Sequence, residues 1–195
     1  TMKKVLNIIC LIMAVLIVAS MFMTYNSERE KGSYTVSLQL LTQKDKDWIV
    51  ETFGDCNTVE ELLSSMESFV ANNFVYKSSI LNQIPLQSFH FGKFRKDFTG
   101  VCFDFSCFVK TVCVVWAENK NINIKCYVID CELSNNQAHS YNYLITEDKT
   151  YYMDFTQFNT LAKRNESTDG TVFEIGNKNM LEFSKSLGDK VRKVY

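Results

Sequence analysis

The chain holds only two histidines, His90 and His139, beside seven cysteines, so a thiol–imidazole pair can be assembled in few ways. His139 stands in Gln-Ala-His-Ser-Tyr-Asn-Tyr, and Asp154 stands fifteen residues later in Tyr-Tyr-Met-Asp-Phe-Thr. Cys102 follows Gly100-Val101 at the head of an apolar run that reaches Ala117. A sulfur nucleophile, an imidazole that carries its proton and a carboxylate that fixes the ring tautomer are the parts of an acyl-transfer enzyme. The expectation is therefore Cys102 as nucleophile, His139 as general acid and base, and Asp154 as the orienting acid. At a helix start the sulfur faces the positive end of the helix dipole, which favours thiolate, and unpaired N–H groups there can bind an oxyanion.

These residues need elements that bring them together. Ala138–Thr146 and Thr150–Gln157 read as two strands joined by Glu147-Asp148-Lys149, a turn by composition. A two-residue turn at Glu147-Asp148 pairs Thr146 with Lys149 and sets Asp154 opposite Tyr141. His139 is then its diagonal neighbour on the same face, within side-chain reach, whereas an odd-length loop or a bulge would separate them. Within the apolar run 101–117, Thr111-Val-Cys-Val-Val-Trp116 looks like a strand by propensity, but the length of the run and the stripe Asp104, Thr111, Glu118 argue for a helix buried on most sides. Thr58-Val-Glu-Glu61 reads as a capping box opening a helix with apolar residues at Val59, Leu62, Leu63, Met66, Phe69, Val70 and Phe74. Lys77–Thr99 reads as an aromatic-rich loop, Ile122–Leu133 as a strand, Thr171–Ile175 as another, and Asn179–Val191 as a helix. Helices first and an antiparallel sheet afterwards make the class α+β.

Gly-Val-Cys-Phe-Asp-Phe-Ser at 100–106, His-Ser-Tyr-Asn-Tyr at 139–143 and Tyr-Met-Asp-Phe-Thr at 152–156 resemble, in order, the three blocks of the transglutaminase-like superfamily. The resemblance covers roughly residues 58–160. It implies a papain-like core, with a nucleophile-bearing buried helix packed on an antiparallel sheet, and the same roles for Cys102, His139 and Asp154. Two departures stand out. The residue two after the histidine, often Trp in that family, is Tyr141, which bears on the acyl-acceptor side. Upstream of the cysteine no side-chain oxyanion donor is recognisable; Asn82, Gln83 and Gln87 are available, with nothing to select among them.

Each of these residues has an ordinary alternative. Cys102 could be one more packing cysteine, as Cys107 and Cys113 are read to be, since free cysteine is among the most buried residue types. His139 could be a satisfied strand histidine, and Asp154 a turn-adjacent acid paired with a lysine. The three blocks together favour the catalytic reading. His90 has no acidic partner at a telling spacing and reads as loop packing. Cys126 and Cys131, five apart on one strand, point to opposite faces; without a C-x-x-C pair a metal site is disfavoured, and no cofactor is expected. A disulfide from one of them to Cys56 stays open. The alternating tyrosines 141, 143, 151 and 152 could line a cleft, but core packing is the commoner use.

Composition narrows the rest. At 195 residues, 46% of them hydrophobic, the chain has room for one domain with a real core. A formal net charge of -1 argues against nucleic acid. Lys93, Arg95 and Lys96, broken by Phe94 and closed by Asp97, read as a solvated loop. Lys3 and Lys4 precede an apolar run from Val5 to Met23 whose length suits a membrane span, with the rest of the chain outside. A signal peptide cleaved after Ser20 is the alternative. The organisation expected is an anchor or signal peptide at 1–25, a stalk at 26–55 and a catalytic domain at 56–195. Partners would be a protein or peptide substrate and a lipid bilayer through residues 5–23. The activity expected is hydrolysis of peptide or isopeptide-type amides in an extracytoplasmic domain, tethered to the cell membrane or secreted. The alternatives are a protein-glutamine transglutaminase with the same acyl-enzyme and a non-catalytic binding module.

Overall fold

A computed structural model describes residues 41–77, 89–158, 172–176 and 179–195. The apolar run at 5–23, read as the anchor, and the loop residues Asn82, Gln83, Pro85 and Gln87 lie outside the described residues. Among the described residues no helix is long and apolar enough to cross a membrane.

The first helix, α1 (Gln43–Phe53), falls in the segment expected to be a stalk. Thr42 caps it: its hydroxyl accepts from the Asp45 N–H at 3.2 Å, and the Asp45 carboxylate accepts from the Thr42 N–H at 3.3 Å. Ile49 and Phe53 are buried, so the core begins before residue 56. Arg95, read as part of a solvated loop, instead reaches the buried Asp45 at 3.3 Å and lies over the Trp48 ring at 5.2 Å. A guanidinium with both a carboxylate and an aromatic face within reach exchanges water for them.

Helix α2 (Val59–Asn73) starts as its sequence predicts. The Thr58 hydroxyl accepts from the Glu61 N–H at 3.2 Å, while the Glu61 carboxylate turns back to the Asn57 N–H at 2.7 Å. Leu62, Leu63, Met66 and Val70 form its buried stripe. Strand β1 (Val75–Tyr76), the single-turn helix α3 (Phe91–Phe94) and strand β2 (Thr99–Gly100) follow, and β1 runs parallel to β2 with Tyr76 paired to Gly100.

Helix α4 (Cys102–Lys120) settles the ambiguity of the β-branched run in favour of length. Asp104 accepts from the Val101 N–H at 3.0 Å, satisfying a donor at the entrance. The helix ends at Asn121, left-handed at φ 55°, with the Ile122 N–H bonded to the Ala117 carbonyl at 2.9 Å. It is buried on most sides. Rings from α1, α2 and the 89–98 segment gather around Phe108, with Phe91 and Phe69 stacked near it.

Strands β3 (Lys125–Glu132), β4 (Ala138–Ile145), β5 (Thr150–Met153), β6 (Val172–Glu174) and β7 (Lys190–Val194) form a five-stranded antiparallel sheet in the order β6-β5-β4-β3-β7. Cys126, Val128, Leu144, Tyr151 and Met153 share a cluster with α4. Ile129, Cys131, Tyr141, Tyr143 and Tyr152 form a second cluster with Met180 and Phe183 of helix α5 (Met180–Ser186). Helices therefore cover both faces, which is why β4 lacks a polar-out alternation. The helix expected over 179–191 stops at Ser186, because Gly188 adopts φ 81° and the chain reverses into β7, an edge strand carrying Lys190, Arg192 and Lys193.

Candidate active site

The hairpin sets the site. Tyr143 pairs with Tyr152 and Ile145 with Thr150, and the Thr146 N–H donates to the Lys149 carbonyl at 2.9 Å, so the register is the one expected from a two-residue turn. Continued past Met153, this register carries Asp154 opposite Tyr141 and diagonal to His139. His139 Nε2 lies 2.8 Å from Asp154 Oδ2. Asp154 is 1% exposed and is held by more than the ring. Its Oδ1 accepts from the Thr156 hydroxyl at 2.6 Å and the Thr156 N–H at 3.3 Å, and its Oδ2 accepts from the Tyr152 phenol at 3.3 Å. With its oxygens met by these donors the carboxylate cannot rotate freely, and the ring it holds is fixed too.

Cys102 occupies the first turn of α4 and is 5% exposed. It is among the groups that act on the His139 ring. Since Nε2 is engaged by Asp154, Nδ1 is the ring nitrogen left for the sulfur. Burial pulls the His139 imidazolium towards its neutral form, but the Asp154 charge and hydrogen bond, with those of Cys102, outweigh it and raise its pKa to about 10.

Gly100 provides the close approach that puts the sulfur there. A Cβ on it would meet Asp104 Cβ at 2.7 Å, Asp104 Oδ2 at 2.8 Å and Phe94 Cε2 at 2.9 Å. Its place is thus between the α4 entrance and the ring of α3, where only a residue without a side chain fits.

One residue of the site escaped the sequence reading. Tyr76, on β1, lies close enough to Cys102 to be influenced by it: burial, together with the Cys102 charge, raises the phenol to about 12. Its ring meets Phe105 edge-on at 5.9 Å. Val75-Tyr76 is too short to show a period, and nothing local marks it; the signal is its parallel pairing with Thr99-Gly100, which a sequence does not display.

Other candidates lie elsewhere. Tyr141 is fully buried and donates to Ser184 at 2.7 Å and to Asp189 at 3.0 Å, so it is a core ring tied to the C-terminal segment rather than an acceptor-side residue. Tyr143 and Tyr152 share that core, and Tyr151 reaches Glu60 on the other face. His90 caps α3 without a side-chain cap bond and is exposed. Cys56, Cys102, Cys107, Cys113, Cys126 and Cys131 are free thiols, so the disulfide to Cys56 does not form. Cys107 and Cys113 are fully buried, and Cys126 and Cys131 belong to the clusters on opposite faces. Among the described residues no group of His, Cys, Asp and Glu is placed to hold a metal ion.

No family model matches the chain, and no curated protein matches it in sequence. Three solved structures are similar to it in fold. A protein of Cytophaga hutchinsonii assigned as a cysteine protease is 15% identical with a TM-score of 0.47, the match covering 84% of this chain and 54% of that one. A TGase is 15% identical with a TM-score of 0.45, over 85% of this chain and 44% of that one. LapG of Legionella pneumophila is 17% identical with a TM-score of 0.42, over 77% of this chain and 88% of that one. The chain thus spans about half the length of the first two.

Proposed function

We propose that the chain is a cysteine-dependent acyl-transfer enzyme that hydrolyses peptide or isopeptide-type amides, with Cys102 as nucleophile, His139 as acid and base, and Asp154 as the orienting acid. The observation that carries this reading is one imidazole bonded at Nε2 to a caged, buried carboxylate, with Cys102, at the start of α4, among the groups that raise its pKa.

In the reaction, the Cys102 sulfur attacks the amide carbonyl carbon, forming a C–S bond as the carbonyl electron pair moves to oxygen. That oxyanion lies near the amide N–H groups of the first turn of α4. Its collapse breaks the C–N bond, and His139 Nδ1–H delivers the proton that lets the amine leave. Water then attacks the thioester while the neutral imidazole takes its proton. The carboxylic acid leaves and the sulfur is regenerated. Asp154 keeps the ring aimed at the sulfur through each transfer and stays ionised.

The folded body, from α1 through the domain read at 56–195, is the catalytic part. A position outside a membrane is supported by the apolar length of the run at 5–23 and by Lys3 and Lys4 ahead of it. Protease added to intact cells is expected to degrade the domain; a protected domain means the orientation is reversed. The catalytic reading is tested with iodoacetamide at neutral pH, followed by peptide mapping. Selective labelling of Cys102 that drops at least tenfold in His139→Ala is expected. Equal labelling of several of the free thiols would overturn it.

A further inference from the structure

We infer that Asn142 is a positioning residue for the acyl transfer: its buried amide pins the helix that carries Cys102 to the strand that carries His139, and so sets how the sulfur meets the ring. This deepens the acyl-transfer reading of Cys102 and rests on it.

The amide joins three elements. Asn142 lies in β4, and its Nδ2 donates to the Ser106 carbonyl of α4 at 2.9 Å and to the Tyr127 carbonyl of β3 at 3.2 Å. An amide nitrogen carries two hydrogens, and the two carbonyls take them. Ser106 follows Cys102 by four residues, about 6 Å along α4. Asn142 follows His139 by three residues, about 10 Å along β4. The pin therefore stands a short, stiff distance from each reacting group.

Its surroundings make the residue type informative. Asn142 is 1% exposed and Ser106 is 3% exposed. Asn142 pairs with Val128 on one side and Met153 on the other, and Leu144 is the next residue on its face. All three belong to the apolar cluster shared with α4. An amide in such a layer is tolerated only with its hydrogens bonded, and an apolar side chain would pack there without that demand. What the amide adds is register. Apolar contact between a helix and a sheet resists separation but constrains sliding and rotation weakly. A directed hydrogen bond to one carbonyl selects one setting, as a single buried Asn does in a coiled coil. A shift of about 1 Å between reacting groups can cost about 100-fold in rate, so a pin this near to both bears on the chemistry without touching the reacting atoms.

The test is a double-mutant cycle on the full chain, read by the iodoacetamide rate at Cys102. In the unmodified chain, His139→Ala is expected to slow alkylation at least tenfold. In Asn142→Val, which suits a buried strand position, and in Asn142→Ala, which cannot overpack, the same His139→Ala change is expected to slow it less than threefold. Urea unfolding establishes that each variant is folded under the assay conditions. A folded Asn142 variant in which the effect of His139→Ala stays above threefold overturns the assignment, since the amide then only stabilises the fold. Loss of folding in both variants overturns it as well, because the amide is then needed for the fold as a whole. The parent reading fails differently, by a lack of selective, His139-dependent labelling of Cys102 in the unmodified chain.

Discussion

Replacing Asp154 with Asn tests the electrostatic core of the site, because the amide keeps the shape of the carboxylate while removing its charge and turning one of its two acceptor oxygens into a donor. His139 is held at a pKa of about 10, against an ordinary value of 6.5. At about 1.36 kcal/mol per unit, that rise is on the order of 5 kcal/mol in favour of the imidazolium, shared between Asp154 and Cys102. Because the folded value lies above the unfolded one, this stabilisation is complete below about pH 6.5 and is lost as pH rises through about 10. In Asp154→Asn the burial that pulls His139 downward is no longer outweighed, and the residue becomes mainly neutral near pH 7. The variant should thus be less stable than the unmodified chain by roughly 2–4 kcal/mol at pH 6, and the gap should narrow towards pH 10. Urea unfolding of both proteins at fixed ionic strength measures this, and taking the difference cancels the groups that titrate alike in each. A proton NMR titration of the His139 ring should show its midpoint dropping by at least two units. A stability gap that does not change with pH would refute the linkage, as would an unmoved ring titration. Thiol-dependent turnover should drop about 10³-fold or more, since the ring loses the partner that sets its tautomer.

Gly100→Ala should cost about 1–3 kcal/mol, because its methyl group would sit within 3.0 Å of Asp104 and Phe94 and must displace the entrance of α4. Thermal unfolding reads the loss, and slower alkylation of Cys102 than in the unmodified chain would show that the shift reaches the sulfur; unchanged values for both would refute the close-approach argument. Tyr141→Phe should cost about 1–3 kcal/mol by removing the phenol that donates to Ser184 and Asp189, yet leave the rate of Cys102 alkylation within about threefold. A large rate change with little loss of stability would put Tyr141 back on the catalytic side.

What the sequence disclosed and what it hid divide along one physical line. The β4–β5 hairpin was legible down to its register because turn length and the two-residue period leave a strand pair little freedom, and that register is what brings Asp154 to His139. Helix α4 was legible from length, and the start of α2 from a cap whose partners lie three residues apart. The misjudged pieces depend on contacts distant in sequence. Helix α1 shows few apolar residues among its charges, and Ile49 and Phe53 matter only because rings from α2 and the 89–98 segment close over them. Strand β7 looks like the tail of a helix until Gly188 turns the chain and β3 offers an unpaired edge. Arg95 looks solvated until Asp45, 50 residues earlier, is seen beside it. Tyr76 belongs to the same class, since its pairing with Gly100 spans 24 residues and no periodicity marks it. The contact of His139 with Asp154 was therefore visible where turn length and local spacing constrain it.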